Sequence, residues 1–281
     1  MAEKLKRLDM FSIFNDGFIQ YLGHFGSDAE IANDARVSYK GADAVYTEED
    51  TTKDESLLRA LLRQNHSSVF EHTLVKWCMR IPMDVWRQFI RHRTARYSHV
   101  NEYSTRYKDA IDSVLVANGW RKQSLDNKQG SSGFITDDAV IADLTIGEQK
   151  LHELSREVYL HRIEEGVARE QARKDIPLST YTEVTVSCDV WNLMHFFMLR
   201  RKPDAQLEIR ELANSLYENI FRPLFPATAQ AFEDYRFNAI SLSATEIKVI
   251  CGQIKLEDIK SKREQDDCRL KMEQIGVEPN D

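Results

Sequence analysis

The sequence predicts an α+β fold, a single mostly helical domain with a mixed sheet, and three observations point to it. Residues 17–26 read as a strand, apolar residues alternate at period two over 73–81, and residues 180–188 are rich in β-branched types, so these stretches are expected in a sheet. Long segments between and after them carry apolar residues at helical spacing with capping signals in front. The 281 residues, 42% of them apolar, are enough for one large core and show no repeat of solenoid period. Residues 1–242 are expected to form the domain, with 243–281 as a C-terminal helical extension of it.

The elements follow in order. GFIQYLGHFG, from Gly17, is a strand. Ser27 and Glu30 form a capping box that opens a short helix through Val37. A second helix is expected over about 48–64, burying Leu57, Leu58, Leu61 and Leu62. Val75, Trp77, Met79 and Ile81 define the next strand, and Pro82 ends it in the first turn of a helix with Val85, Trp86, Phe89 and Ile90 inward. Residues 119–137 are polar and glycine-rich and read as a surface loop. Thr145 and Glu148 then cap a long helix that turns Leu151, Leu154, Val158 and Ile163 inward and stops at Gly166. Pro177 precedes the strand Thr180–Cys188, and Asp189 caps a helix containing Val190, Leu193, Met194, Phe197 and Met198. Helices over about 204–222 and 226–236 follow. A second capping box, Ser243 with Glu246, opens a terminal helix with a frayed end.

Composition narrows the function. Thirty-eight basic residues against 45 acidic ones give a net charge of −7, so nucleic acid or an anionic membrane is not expected to coat the whole surface. No apolar run reaches the roughly 18 residues of a membrane span, and the N-terminus carries no secretory signal pattern. Cys78, Cys188, Cys251 and Cys268 lack zinc or disulfide spacing, which fits reduced thiols in a cytoplasmic protein.

Chemistry concentrates in residues 87–108, where Arg87, Arg91, Arg93, Arg96, Arg106 and Lys108 face the single acid Glu102. The cluster emerges from an apolar helix, so a bound anion gripped by guanidinium forks is one reading, and a solvated basic face is another. Tyr97, Tyr103 and Tyr107 interleave with the arginines as stacking platforms for single-stranded nucleic acid would, a third reading. His66 and His72 do not form a zinc-binding HExxH, and no metal is expected. Hydrolase elbow, Walker A and dinucleotide fingerprints are absent. Arg169, Arg173, Arg200, Arg201 and Arg210 lie further on; two of them near the first cluster would complete an anion pocket.

Arg91-His92-Arg93 followed by Asn101-Glu102-Tyr103-Ser104-Thr105-Arg106-Tyr107 resembles the signature of flavin-dependent thymidylate synthases. The resemblance runs from about Gly17 to Tyr235 through ARVSY (35–39), HSSVFEH (66–72), WRQFIRHR (86–93), WRKQSLDNKQGSSG (120–133), AREQAR (168–173) and MLRRKPDAQLEIR (198–210). It implies that family's fold, a homotetramer with active sites shared between subunits, and methylation of dUMP to dTMP. The carbon donor would be 5,10-methylenetetrahydrofolate, and FAD reduced by NADPH would carry the hydride, without a protein nucleophile. By position, FAD would meet Ser38, His66, Ser68, Glu71, Arg91, His92, Arg93, Asn101, Glu102, Asp189, Val190, Trp191 and His195. The dUMP contacts would be Gln88, Arg91, Glu102, Tyr103, Ser104, Thr105, Arg106, Arg173 and Arg200, with Arg200 the catalytic group beside the uracil ring. The chain departs from the pattern in about three extra residues around Arg96–His99, and in Asp189 and Trp191, where Asn and Arg are frequent.

Overall fold

The computed structural model describes residues 5–41, 51–92, 99–107, 111–125 and 130–278. The chain divides into two compact units, Met1–Phe237 and Asn238–Asp281, so the break falls at residue 237 where 242 was expected.

The first unit is built on a five-stranded sheet in the order β1 (Met10–Ile13), β2 (Gly17–Phe25), β3 (Leu74–Pro82), β7 (Tyr181–Asp189) and β4 (His99–Glu102). Every pairing is antiparallel, so the α+β class holds but the expected mixed sheet does not. No helix crosses over between neighbouring parallel strands; β3 and β7 pair through residues far apart in sequence, and β4 pairs with β7 from its other side. Gly17 is required at the β1–β2 turn, because a Cβ there would lie 2.8 Å from the Ile13 carbonyl oxygen.

Alternation holds in the central strands: Val75, Trp77, Met79 and Ile81 of β3 and Val184 and Val186 of β7 are wholly buried. Helices cover that face. They are α1 (Asp28–Lys40), α2 (Asp54–Arg63), the single turn α3 (Ser68–Glu71), α4 (Met83–Phe89), α7 (Val190–Arg200), α8 (Leu207–Leu216) and α9 (Pro226–Phe232). A π-helical stretch, Tyr217–Phe221, prolongs α8, so the expected helices near 204–222 and 226–236 are present. Phe196, Phe197, Tyr217, Phe221 and Phe232 meet at the centre of this core, edge-on or tilted except for Tyr217 and Phe221, which stack.

Several local expectations shift. Ser27 caps α1 by accepting from the Glu30 N–H, but the Glu30 carboxylate meets the Ser27 hydroxyl instead of its backbone, and the helix runs on to Lys40. Arg36 of the ARVSY segment is buried, paired with Asp54 of α2 at 2.6 Å. Of the four leucines, Leu58, Leu61 and Leu62 are buried and Leu57 is only partly so. Pro82 is the last residue of β3 and caps α4, and Ile90 falls beyond the helix and is exposed.

Residues 119–137 are not simply a loop: β5 (Arg121–Gln123) pairs with β6 (Ser131–Phe134) as a hairpin. The long helix α5 spans Asp138–Glu164 and is capped by Asp137, not Thr145. Thr145 sits inside it, where its hydroxyl accepts from the Trp120 indole and donates to the Ile141 carbonyl. Gly166, with φ +77°, follows the helix end as expected. Leu151 and Leu154 are exposed, not inward, since only Tyr159 of this helix is buried. A short helix α6 (Arg169–Ala172) leads into β7, and Asp189 caps α7 as predicted.

The second unit has its own small core of Val249, Leu256, Ile259, Cys268 and Met272. The Ser243–Glu246 capping box is complete at α10 (Ala244–Ile250), and a further helix, α11 (Lys262–Gln274), stands where a frayed end was expected. Among the described residues no helix is long and apolar enough to cross a membrane.

Candidate active site

The edge strand β4 places its last residue, Glu102, opposite Val184 of β7. Trp86 Nε1 of α4 donates to one carboxylate oxygen of Glu102 and Thr182 Oγ1 of β7 to the other, each at 3.0 Å. Two neutral donors from different elements thus fix the carboxylate without cancelling its charge. The Tyr103 N–H extends the pairing to the Glu183 carbonyl, and the chain then turns, with the Tyr107 N–H on the Ser104 carbonyl. Within the turn the Arg106 backbone N–H and Nε lie 3.4 and 3.5 Å from Ser104 Oγ. Arg173, just after α6, donates from its guanidinium to Thr105 Oγ1 at 3.0 Å.

These groups line a cleft of ≈ 470 Å³ whose charged walls are Arg87, Arg106, Arg173 and Lys174 against Glu102 and Glu170. Four cations facing two acids, with serine and threonine hydroxyls between them, suit an anionic ligand of nucleotide size.

A second cluster forms where α4 and α7 end. Phe89 packs edge-on against Phe196 with ring centroids 5.0 Å apart, and His92 also packs edge-on against Phe196 at 5.1 Å. That packing brings Arg200 Nε to 2.7 Å from His92 Nε2. His92 is 6% exposed; burial, then the charge of Arg200, then His195, push its imidazole down from 6.5 to about 4. A neutral ring that accepts at Nε2 carries its proton on Nδ1. Only the Nε of Arg200 is engaged, and its two terminal nitrogens meet no described residue.

Gln88 belongs to a polar chain across the same end. Its Nε2 donates to Gln206 Oε1 (2.8 Å), Gln206 Nε2 donates to Glu208 (2.8 Å), and Arg121 of the hairpin pairs with Glu208 at 2.7 Å. Burial works against ionisation of Glu208, but the bonds from Gln206 and Arg121 hold its carboxyl below the ordinary value. Since a carboxylate only accepts, it fixes the orientation of both amides in turn.

The third group lies around α3 and the start of α7. Asp189 accepts from the Asn192 N–H (2.9 Å) and the Asn192 amide (2.7 Å). Burial raises its carboxyl, the Asn192 bonds oppose that, and the nearby Glu71 charge adds to the rise. Val190 is fully buried, so only its backbone could meet a ligand. Trp191 packs on Phe70 of α3 at 5.9 Å, and the Arg236 guanidinium lies 4.7 Å over its indole. His66 and Ser68 are exposed beside it; Ser38 is exposed near the end of α1, which packs on α3.

The expected residues therefore gather in three places. Glu102, Tyr103, Ser104, Thr105, Arg106 and Arg173 share the cleft, whereas Gln88, Arg91 and Arg200 do not line it. Asn101 precedes Glu102 on β4 and pairs with Thr185, and Arg91 is exposed at the turn after α4. Arg93 and the added residues Arg96, Tyr97 and Ser98 lie outside the described residues; His99 opens β4. Of the five distal arginines, two meet the 87–108 segment: Arg173 bonds Thr105 in the cleft, and Arg200 bonds His92. Among the described residues no cluster of three metal-type side chains occurs. Sequence reasoning missed Trp86, Thr182 and Gln206 as supports. Only Trp86 carried a signal: an indole N–H on the buried face of a helix requires an acceptor.

A family model described as thymidylate synthase complementing protein matches residues 20–227. A flavin-dependent thymidylate synthase from Thermus thermophilus is 36% identical over 246 residues, 87% of this chain and 86% of the relative. One from Gluconobacter oxydans is 38% identical over 260 residues, 89% of this chain and 80% of the relative. Among solved structures, a UMP/dUMP methylase, PolB from Streptomyces cacaoi, bound with 5-Br dUMP, superposes with a TM-score of 0.68 at 28% identity, covering 78% of this chain and 96% of that one. The same methylase bound with 5-Br UMP gives 0.67 at 27% identity, covering 78% and 95%.

Proposed function

The chain belongs to the thymidylate synthase complementing protein family, the flavin-dependent thymidylate synthases, and on that premise we propose a full reaction for it. It methylates dUMP to dTMP, with 5,10-methylenetetrahydrofolate as carbon donor and FAD, reduced by NADPH, as hydride carrier. The observation that carries this reading is the meeting of Arg173 with the Ser104–Arg106 turn, 68 residues away in sequence, around a cationic cleft of nucleotide size.

In this cleft Arg106 and Arg173 grip the dUMP phosphate and Ser104 supplies a small neutral donor. Glu102, held by Trp86 and Thr182, is a fixed acceptor for the nucleoside. Arg200, outside the cleft of its own chain, acts at the uracil of a site shared between subunits. Its Nε is anchored on neutral His92, and its terminal nitrogens are directed to the N3/O4 edge, where they stabilise the ionised ring and raise electron density at C5. His66, Ser68, Arg91 and the α7 start with Trp191 offer imidazole, hydroxyl, cationic and aromatic surfaces, a donor set that fits an anionic dinucleotide with a planar ring. FAD, when bound there, supplies the two-electron chemistry that no side chain can. Burial raises the thiols of Cys188 and Cys78 above their ordinary range, which supports a route without a cysteine nucleophile. Exposed Val140, Ile146, Leu151, Leu154 and Leu160 along α5 favour a homotetramer that covers them and shares active sites between subunits. Four cysteines, none of them in a disulfide, favour a cytoplasmic location.

The test is a visible absorption spectrum of the purified protein before and after adding dUMP, followed by a dTMP-formation assay of wild type and Arg200→Ala. Oxidised-flavin bands that shift with dUMP, and a variant that keeps its colour but forms no dTMP, are expected. A protein that takes up no FAD would remove the reading, and normal turnover in the variant would remove Arg200 from the chemistry.

A further inference from the structure

Arg236 is a half-buried cation with no acid paired to it among the described residues. Its guanidinium stacks 4.7 Å over the Trp191 indole and donates to the Asn65 side-chain carbonyl at 2.6 Å. Among the described residues it forms no ion pair, in contrast to its neighbour in the fold, Arg59, which pairs with Asp234 at 2.6 Å. Burial alone shifts its ionisation, downward, with no carboxylate to offset the cost. A guanidinium removed from water is normally compensated by an anion, and four of its five N–H groups have no described acceptor. Both groups that hold it are themselves fixed. Asn65 sits at φ +58°, a left-handed conformation that asparagine tolerates, and Trp191 is packed on Phe70. The clamp stands between Asn65, next to exposed His66, and Trp191, two residues past the cap Asp189.

We propose that Arg236 is a cofactor-binding residue that receives the diphosphate of the flavin dinucleotide, with Trp191 holding the guanidinium flat for bidentate contact. The inference rests on the reading of α3 and the α7 start as the FAD site. It assigns a role to a residue outside every motif singled out in the sequence, and it gives Trp191 a supporting function at a position where the family pattern often has an arginine. Guanidinium stacked on an aromatic face keeps its in-plane N–H groups free for a diphosphate.

The test uses the full-length protein stripped of flavin and titrated with FAD, and with ADP as a competitor, in wild type, Arg236→Gln and Arg236→Lys. Arg236→Gln is expected to weaken FAD and ADP by roughly 10- to 100-fold, the loss of one charge-assisted contact. Arg236→Lys keeps the charge but not the planar fork, and should fall between wild type and Arg236→Gln. The flavin-free Arg236→Gln protein should melt at the wild-type temperature or higher, because an uncompensated charge has been removed. Wild-type FAD affinity in Arg236→Gln would overturn the inference, as would a parallel loss of affinity and of flavin-free stability, the mark of a merely structural residue. Failure of the wild type to bind FAD would instead strike the underlying function.

Discussion

His92 provides a quantitative test of how the end of α4 is built. The imidazole is buried, neutral and bonded to Arg200, and its ionisation is pushed down from 6.5 to about 4. Above pH 6.5 neither the folded nor the unfolded chain protonates it, and it makes no pH-dependent contribution. As the pH falls below 6.5 the unfolded chain takes up a proton that the folded one refuses, so stability declines until about pH 4 and then levels. At about 1.4 kcal/mol per pH unit the complete loss is about 3 kcal/mol, of which about 2 kcal/mol falls between pH 7 and pH 5. His92→Gln keeps an acceptor for Arg200 Nε and cannot titrate. Urea unfolding of wild type and variant, at equal protein concentration and both pH values, isolates this residue, since every other titrating group cancels in the difference. The wild type should lose about 2 kcal/mol more than the variant on acidification. Parallel losses would refute the assignment of a neutral, desolvated His92, and with it the anchoring of Arg200.

Two further outcomes are expected. Arg173→Ala removes one wall of the cleft and its bond to Thr105, and should weaken dUMP binding by roughly 10- to 100-fold while flavin absorbance in the absence of dUMP stays unchanged; equilibrium titration of the flavin bands with dUMP reads this. Leu151→Asp combined with Leu154→Asp puts two charges on the exposed face of α5 and should break the proposed homotetramer into smaller species in sedimentation velocity; an unchanged oligomer would show that this face is not the interface.

Much of the fold was legible because its signals are local. β3 and β7 announced themselves by alternation and β-branching, and the Ser27, Asp189 and Ser243 caps all formed. Errors arose where local signals competed. Thr145 and Glu148 spell a capping box, yet Asp137 opens the helix earlier and the Trp120 indole claims the Thr145 hydroxyl. Leu151 and Leu154 have the spacing of a core stripe, and spacing does not say whether the partner is the same chain or another copy. The hairpin of β5 and β6 was hidden because its residues are polar, and polarity reads as loop.

The arginines show the same limit at the site. Arg200 and Arg201 are adjacent and chemically identical. Arg201 is locked over Tyr217 at 3.6 Å and paired with Glu233, a structural role, while Arg200 turns to His92. One residue along a helix rotates a side chain by about 100°, and only the packing of Phe196 and Phe197 sets which way each points. Residue types and their order in the RHR…NEYSTRY segment were sufficient to identify a family, because that depends on which groups exist and in what order. Three things came from the fold: the antiparallel order of the sheet, the union of Arg173 with the Ser104 turn, and the stacking of Arg236 on Trp191. Each joins segments tens of residues apart, and such contacts are fixed by burial of shared apolar surface, which no local stretch of sequence records.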